Sequence, residues 1–281
     1  RIDLKRESPE IQSLTKSHGK MTELAKKDFG LDLKNIRTPD WIEQPALQKK
    51  ERKLDLYIAK EQMRANYLAK NIVPLLSDAP DGEIADIGTR SGFFPNKLRT
   101  IYFQKNDNRK ITGLDLHQEL PTDKNQQFDF TQGKDAFVQH YDGGRMPYDD
   151  KSLAAVTLNF TLHHVEEPSR NPRPESEKLE HFLNEVNRVM KPNGVLVVTE
   201  DYMGKDIDER KKGNAYADTV LKVDDIFYPK SLGSQRSQKE WADLLKKHGF
   251  TIEKEKHIAG YNVAGLPMVE LLIKARKPLS N

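Results

Sequence analysis

"IADIGTRSGFF", residues 84–94, decides how the chain is read. An apolar run ends at Asp86 and Ile87, Gly88 and Gly92 bracket Thr89, Arg90 and Ser91, and two phenylalanines open the next element. Glycines let a backbone approach a ligand closely and take positive φ angles. The helix behind them presents N–H groups with no intrahelical partner. A strand, a glycine turn and a helix in this order are the usual contact for a nucleotide-type cofactor in a doubly wound sheet. Arg90 stands where such loops often carry a middle glycine, and an ordinary tight turn would show the same two glycines.

The flanking sequence supplies the sheet. From residue 83 onward strands and helices alternate. "EIADIG", "KITGLDL", "AFVQHY", "SLAAVTLNF", "GVLVVTED", "FTIEKEKHI" and "MVELLIKAR" read as strands. "FFPNKLRTIYF" reads as a helix despite Pro95, and "ESEKLEHFLNEVNRVM" carries Leu179, Phe182, Leu183 and Val186 on one face. "SQKEWADLLKKHG" is a helix capped by Ser237 and stopped by Gly249, and "KPNG" is a turn. Such alternation predicts a mostly parallel sheet with helices on both faces. Residues 117–135 lack an apolar stripe and read as a polar loop or a single helical turn.

Residues 1–75 differ. A weak stripe runs through Ile11, Leu14, Met21 and Leu24, followed by an amphipathic helix with Leu54, Tyr57, Ile58, Ala65, Leu68 and Ile72 on one face. The expected organisation is a helical N-terminal extension, 1–75, and a main domain, 76–281, with an insertion at 203–235.

Bulk composition narrows the function. The 281 residues allow one large core with an appendage. Lys and Arg number 46 against 43 Asp and Glu, and the formal charge of +3 is too small to argue for nucleic acid by itself. With no cysteine, disulfides, thiolate metal sites and a cysteine nucleophile are excluded. No apolar run approaches the roughly 20 residues of a membrane span, so no membrane partner is expected. The chain begins at Arg1, as a trimmed product would. A cytoplasmic location is expected, with a removed leader left open.

Asp115 ends the second strand, 23 residues after Gly92. An acid at that distance accepts hydrogen bonds from the ribose hydroxyls of an adenosine-type cofactor, and a loop aspartate capping a turn would look the same. The stretch 141–167, "YDGGRMPYDDKSLAAVTLNFTLHHVEE", adds a family likeness. Through Met146-Pro147-Tyr148, Ser152 and the pair His163-His164 it resembles the class I S-adenosylmethionine-dependent methyltransferases, in the small-molecule branch (type 11) with the ubiquinone and menaquinone methyltransferases. "FLNEVNRVMKPNGVLVVTE" and "RSQKEWADLLKKHGFTIEKEK" are similar to that family's later elements, and the resemblance spans about residues 70–276.

The resemblance implies a Rossmann-like α/β fold: seven strands, doubly wound, mostly parallel, the last antiparallel. It implies S-adenosylmethionine as cofactor and S-adenosylhomocysteine as product. Asp86, Gly88, Thr89, Arg90 and Gly92 would form the loop around the methionine part. Asp115 would hold the ribose, Leu116 would lie on the adenine, and Asp142 with Gly143 would meet its amino group. Asn159 and Phe160 would flank the methionine and sulfonium, a cation suited to an aromatic face. Two departures stand out: Arg90 in the loop, and "LAA" where Phe-Asp is usual at 153 and 154. Arg90 can point to solvent, clash with the cofactor or pair with its carboxylate; retained binding is the expectation.

Methyl transfer needs alignment and exclusion of water, and a base only where the acceptor must lose a proton. His163 and His164 are candidate bases, with a packing or helix-start role expected for at least one, and Tyr202 is a candidate acceptor contact. No metal site is expected. The acceptor is expected to be a small organic molecule, covered by the extension and by Tyr216, Phe227 and Tyr228 of the insertion; the same segments would serve equally as a homodimer interface. Two other readings stand beside it: an RNA or tRNA methyltransferase, suggested by "KKERK" at 49–53, and a non-catalytic relative in which Arg90 blocks the cofactor.

Overall fold

The computed structural model of the chain describes residues 22–23, 25–27, 30–31, 62–89, 92–115, 136–140, 144–165, 175–205, 235–261 and 267–279. Its centre is a seven-stranded sheet in the order β3-β2-β1-β4-β5-β7-β6. The strands are β1 (Glu83–Ile87), β2 (Ile111–Asp115), β3 (Ala136–His140), β4 (Leu153–Asn159), β5 (Met190–Asp201), β6 (Thr251–Tyr261) and β7 (Pro267–Arg276). β1 to β5 are parallel. β7 runs antiparallel between β5 and β6. The direction of winding reverses between β1 and β4, so a crevice opens at the carboxyl ends of those two strands.

Both faces are covered, which is why the central strands are largely apolar. In β4 every residue from Leu153 to Leu158 is buried. On one face lie α1, through residues 62–72, and α2 (Phe93–Gln104). Ala65, Leu68 and Ile72 of α1 join Leu98, Ile84 and Val197 in one core cluster. On the other lie α4 (Glu175–Val189) and α5 (Gln238–Lys247), whose Leu183, Val186, Trp241 and Leu245 pack with Leu158 and Val198. Between β4 and α4 sits one further short helix, α3 (Leu162–Val165). Ser237 caps α5 in a reciprocal capping box with Glu240, and Gly249 follows it at φ +81°.

The structure departs from the sequence reading in three places. β5 begins at Met190, so "KPNG" is taken into the strand, with the pairing to β4 shifted between Leu153 and Ala155 and Asn193 at φ +62°. β6 runs on to Tyr261, three residues beyond the expected end. α3 was foreseen only as a helix start among the roles open to the paired histidines, because a single turn carries no periodicity. The small residues at 154 and 155 are both fully buried, and Gly82 packs on the Ala154 methyl so closely that a Cβ there would stand 3.4 Å from it. The expected loop at 117–135 and most of the extension and insertion lie outside the described residues.

Candidate active site

The loop after β1 folds back onto β2. Gly88 and Thr89 donate their backbone N–H groups to the Leu114 carbonyl at 2.7 and 3.1 Å. Gly88 sits at φ +78° and Gly92 at +74°, in the left-handed region that favours glycine. At Gly88 the space is also closed: a Cβ would stand 2.3 Å from Thr161 Oγ1. Thr161 is fixed there by donating to the Ile87 carbonyl at 2.9 Å. Asp115 ends β2 and is buried.

Asp86, the buried acid at the end of β1, ties three strands together. Its Oδ1 accepts from Thr157 Oγ1 at 2.7 Å and from Asn159 Nδ2 at 2.8 Å. Asn159 Oδ1 in turn accepts from Thr199 Oγ1 at 2.8 Å. The Asn159 amide is thus oriented by a donor on one side and an acceptor on the other. Burial pushes the Asp86 carboxyl up to about 6, against the pull of the Thr157 hydrogen bond. A carboxyl raised in the fold favours folding while it is protonated, and that contribution is lost as pH rises through the folded value. Asp86→Asn removes the titration. The stability of the variant relative to wild type is therefore expected to increase from pH 4 to pH 8, by up to roughly 3 kcal/mol, in urea unfolding at each pH. A difference that does not change with pH contradicts the assignment.

The carboxyl ends of β4 and β5 hold the remaining candidates. Phe160 follows β4 at φ +54° and donates its N–H to the Thr199 carbonyl. The guanidinium of Arg64, from α1, lies 3.9 Å over its ring. His163 and His164 both lie on α3, with ring centroids 4.0 Å apart. His163 is buried, and its Nδ1 lies 2.5 Å from Glu200 Oε2. Glu200 Oε1 accepts the Leu162 N–H at 2.8 Å, so one carboxylate both starts α3 and holds its histidine. Tyr202 is buried beyond β5, edge-on to His257 at 4.8 Å. Asp201 is pushed above the usual carboxylate range by burial, with His163 opposing.

Asp86, Gly88, Thr89, Gly92, Asp115, Asn159 and Phe160 thus gather along the ends of β1, β2 and β4, and His163 and Tyr202 lie beyond β4 and β5. Arg90, Leu116, Asp142 and Gly143 lie outside the described residues. Glu200 and Arg64 were missed from sequence. The only signal for Glu200 was its place at the end of a buried strand, in the acidic stretch "EDYMGKDIDER", which follows no metal-ligand pattern. Among the described residues no group of three or more His, Cys, Asp or Glu could hold a metal ion, and no helix is long and apolar enough to cross a membrane.

Comparison with known proteins agrees with this geometry. Residues 85–198 match the family model described as a methyltransferase domain. No curated protein matches the sequence. Among solved structures, the chain is similar to one from the Haloferax volcanii complex of a methyltransferase activator with the protein assigned as its methyltransferase. There the identity is 18%, 81% of this chain and 96% of that one are covered, and the TM-score is 0.53. It is similar to an S-adenosylmethionine-dependent methyltransferase from Thermotoga maritima at 17% identity, covering 81% and 96%, with a TM-score of 0.51. A Bacillus halodurans protein classed as a methyltransferase gives 16%, 74% and 98%, and 0.52. At these identities the structures speak for the fold. The match gives residues 85–198 as a methyltransferase domain, the mark of an enzyme with S-adenosylmethionine as its cofactor, and with this sheet order it is consistent with a class I methyltransferase of type 11.

Proposed function

We propose that this enzyme methylates a small organic molecule at oxygen, nitrogen or carbon. The observation that carries the reading is burial: His163, Glu200 and Tyr202, beyond the ends of β4 and β5, are all buried, and a walled site suits a small acceptor better than a polymer. The formal charge of +3 also gives little pull on nucleic acid.

The residues present fit the cofactor. Gly88 and Gly92, both at positive φ, give the loop the left-handed backbone that glycine permits, and Asp115 ends the strand beside them. On this reading Asp86, Gly88, Thr89, Gly92, Asn159 and Phe160 hold the methionine end, Asp115 holds the ribose, and Arg90, Leu116, Asp142 and Gly143 complete the contact. When bound, the cofactor supplies an activated methyl group on sulfur. The chain itself aligns the acceptor and excludes water. Glu200 accepts from His163 Nδ1, which makes Nε2 the basic nitrogen. His163 then takes the proton of an O–H or N–H acceptor, and Tyr202 lines the acceptor side. The extension and residues 203–235, with Tyr216, Phe227 and Tyr228, cover the pocket, and a homodimer through the extension is part of the same proposal.

The test is transfer of labelled methyl groups from S-adenosylmethionine to a panel of phenols, amines and carboxylic acids, with bulk tRNA in parallel. A labelled small molecule is expected. Labelling of tRNA, suppressed steeply by salt, would replace this reading with the RNA one.

A further inference from the structure

Arg64 continues the core-facing row of α1, four residues before Leu68 and eight before Ile72, past the edge of the apolar cluster. There its guanidinium carbon lies over the Phe160 ring, 3.9 Å from the centroid, at the carboxyl end of β4. Among the described residues nothing else holds it. Arg64 makes no hydrogen bond or ion pair to any described residue, and its Nε is buried without an acceptor. A buried donor left without a partner costs about 1–3 kcal/mol. The acid that feels its charge, Asp201, does not pair with it, and burial favours the neutral form of that carboxyl. Glu200 is already committed to His163 and to the Leu162 N–H.

A guanidinium stacked on an aromatic ring keeps its N–H edge available. Nε and the neighbouring Nη form a planar fork that matches the two oxygens of a carboxylate. We propose that Arg64 is an acceptor-binding residue, and that the methyl acceptor carries a carboxylate, gripped by this edge while the face of the guanidinium rests on Phe160. The proposal rests on the small-molecule reading above and narrows it to organic acids.

The probes are benzoate, benzamide and phenyl phosphate, measured by titration calorimetry on the full chain with and without S-adenosylhomocysteine. Benzoate is expected to bind at least tenfold more tightly than benzamide or phenyl phosphate. That preference is expected to vanish in Arg64→Gln and to survive in part in Arg64→Lys, with S-adenosylhomocysteine affinity within threefold of wild type in both. Equal binding of benzoate and benzamide, or a benzoate preference that persists in Arg64→Gln, overturns the role of Arg64. Tighter binding of phenyl phosphate overturns the carboxylate assignment. Failure of S-adenosylhomocysteine to bind wild type would count against the cofactor site instead, because benzoate is also measured alone.

Discussion

Gly88→Ala is expected to destroy cofactor binding and to lower stability by about 3 kcal/mol, from a left-handed backbone cost of ~1–2 kcal/mol and an overpacking cost of ~1–3 kcal/mol. Both terms are visible at this residue. Its φ is +78°, and an added Cβ would stand 2.3 Å from Thr161 Oγ1 and 2.5 Å from Cγ2. The two can be separated. Thr161→Ala in the same chain removes the collision but not the backbone cost, so the double variant should regain about half of the lost stability in urea unfolding, less about 1 kcal/mol for the hydrogen bond to Ile87. A fully stable Gly88→Ala variant would mean that the loop does not take this conformation.

The second large effect is at Glu200. Its carboxylate is buried and serves two donors, the Leu162 N–H and His163 Nδ1. Glu200→Ala leaves both without an acceptor, which at about 1–3 kcal/mol each should cost about 4 kcal/mol. Glu200→Gln separates catalysis from folding. The amide keeps one oxygen for Leu162 but turns an NH2 toward His163. Nδ1 must then accept, the ring proton moves to Nε2, and the basic nitrogen is lost. Stability should fall by about 1 kcal/mol, while kcat for a protic acceptor should fall by about 10²–10⁴. Loss of kcat with unchanged KM and an intact melting curve supports His163 as base. An unchanged kcat means that the acceptor needs no base, or finds another.

Much of this site was legible because the fold brings distant strand ends together by a rule. Asp86, Gly88, Asn159 and Phe160 sit at the ends of strands whose apolar runs are plain in the sequence, and a parallel sheet places such ends side by side. The partners that lock them were not legible. Thr157 and Thr199 read as strand threonines, and nothing local says that one bonds Asp86 and the other Asn159. Glu200 and His163 are separated by 37 residues and a helix, so their pairing follows only once β4 and β5 are neighbours. Arg64 is further still. Its place in an amphipathic helix suggested a solvated face, and only the packing of α1 against the sheet turns it over Phe160. The paired histidines had suggested a helix start, and both lie in α3, whose first N–H is taken by Glu200.

The central claim is that the ends of β1, β2 and β4 hold S-adenosylmethionine. Titration calorimetry with S-adenosylmethionine and S-adenosylhomocysteine, on wild type and Asp115→Ala, tests it most directly. Micromolar binding by wild type, weakened by about 100-fold or more in a variant with unchanged circular dichroism, is the predicted result, the size expected where a buried charged acceptor of two hydroxyl donors is removed. Well-folded wild type that binds neither ligand, or an Asp115→Ala variant that binds both as tightly as wild type, would contradict it.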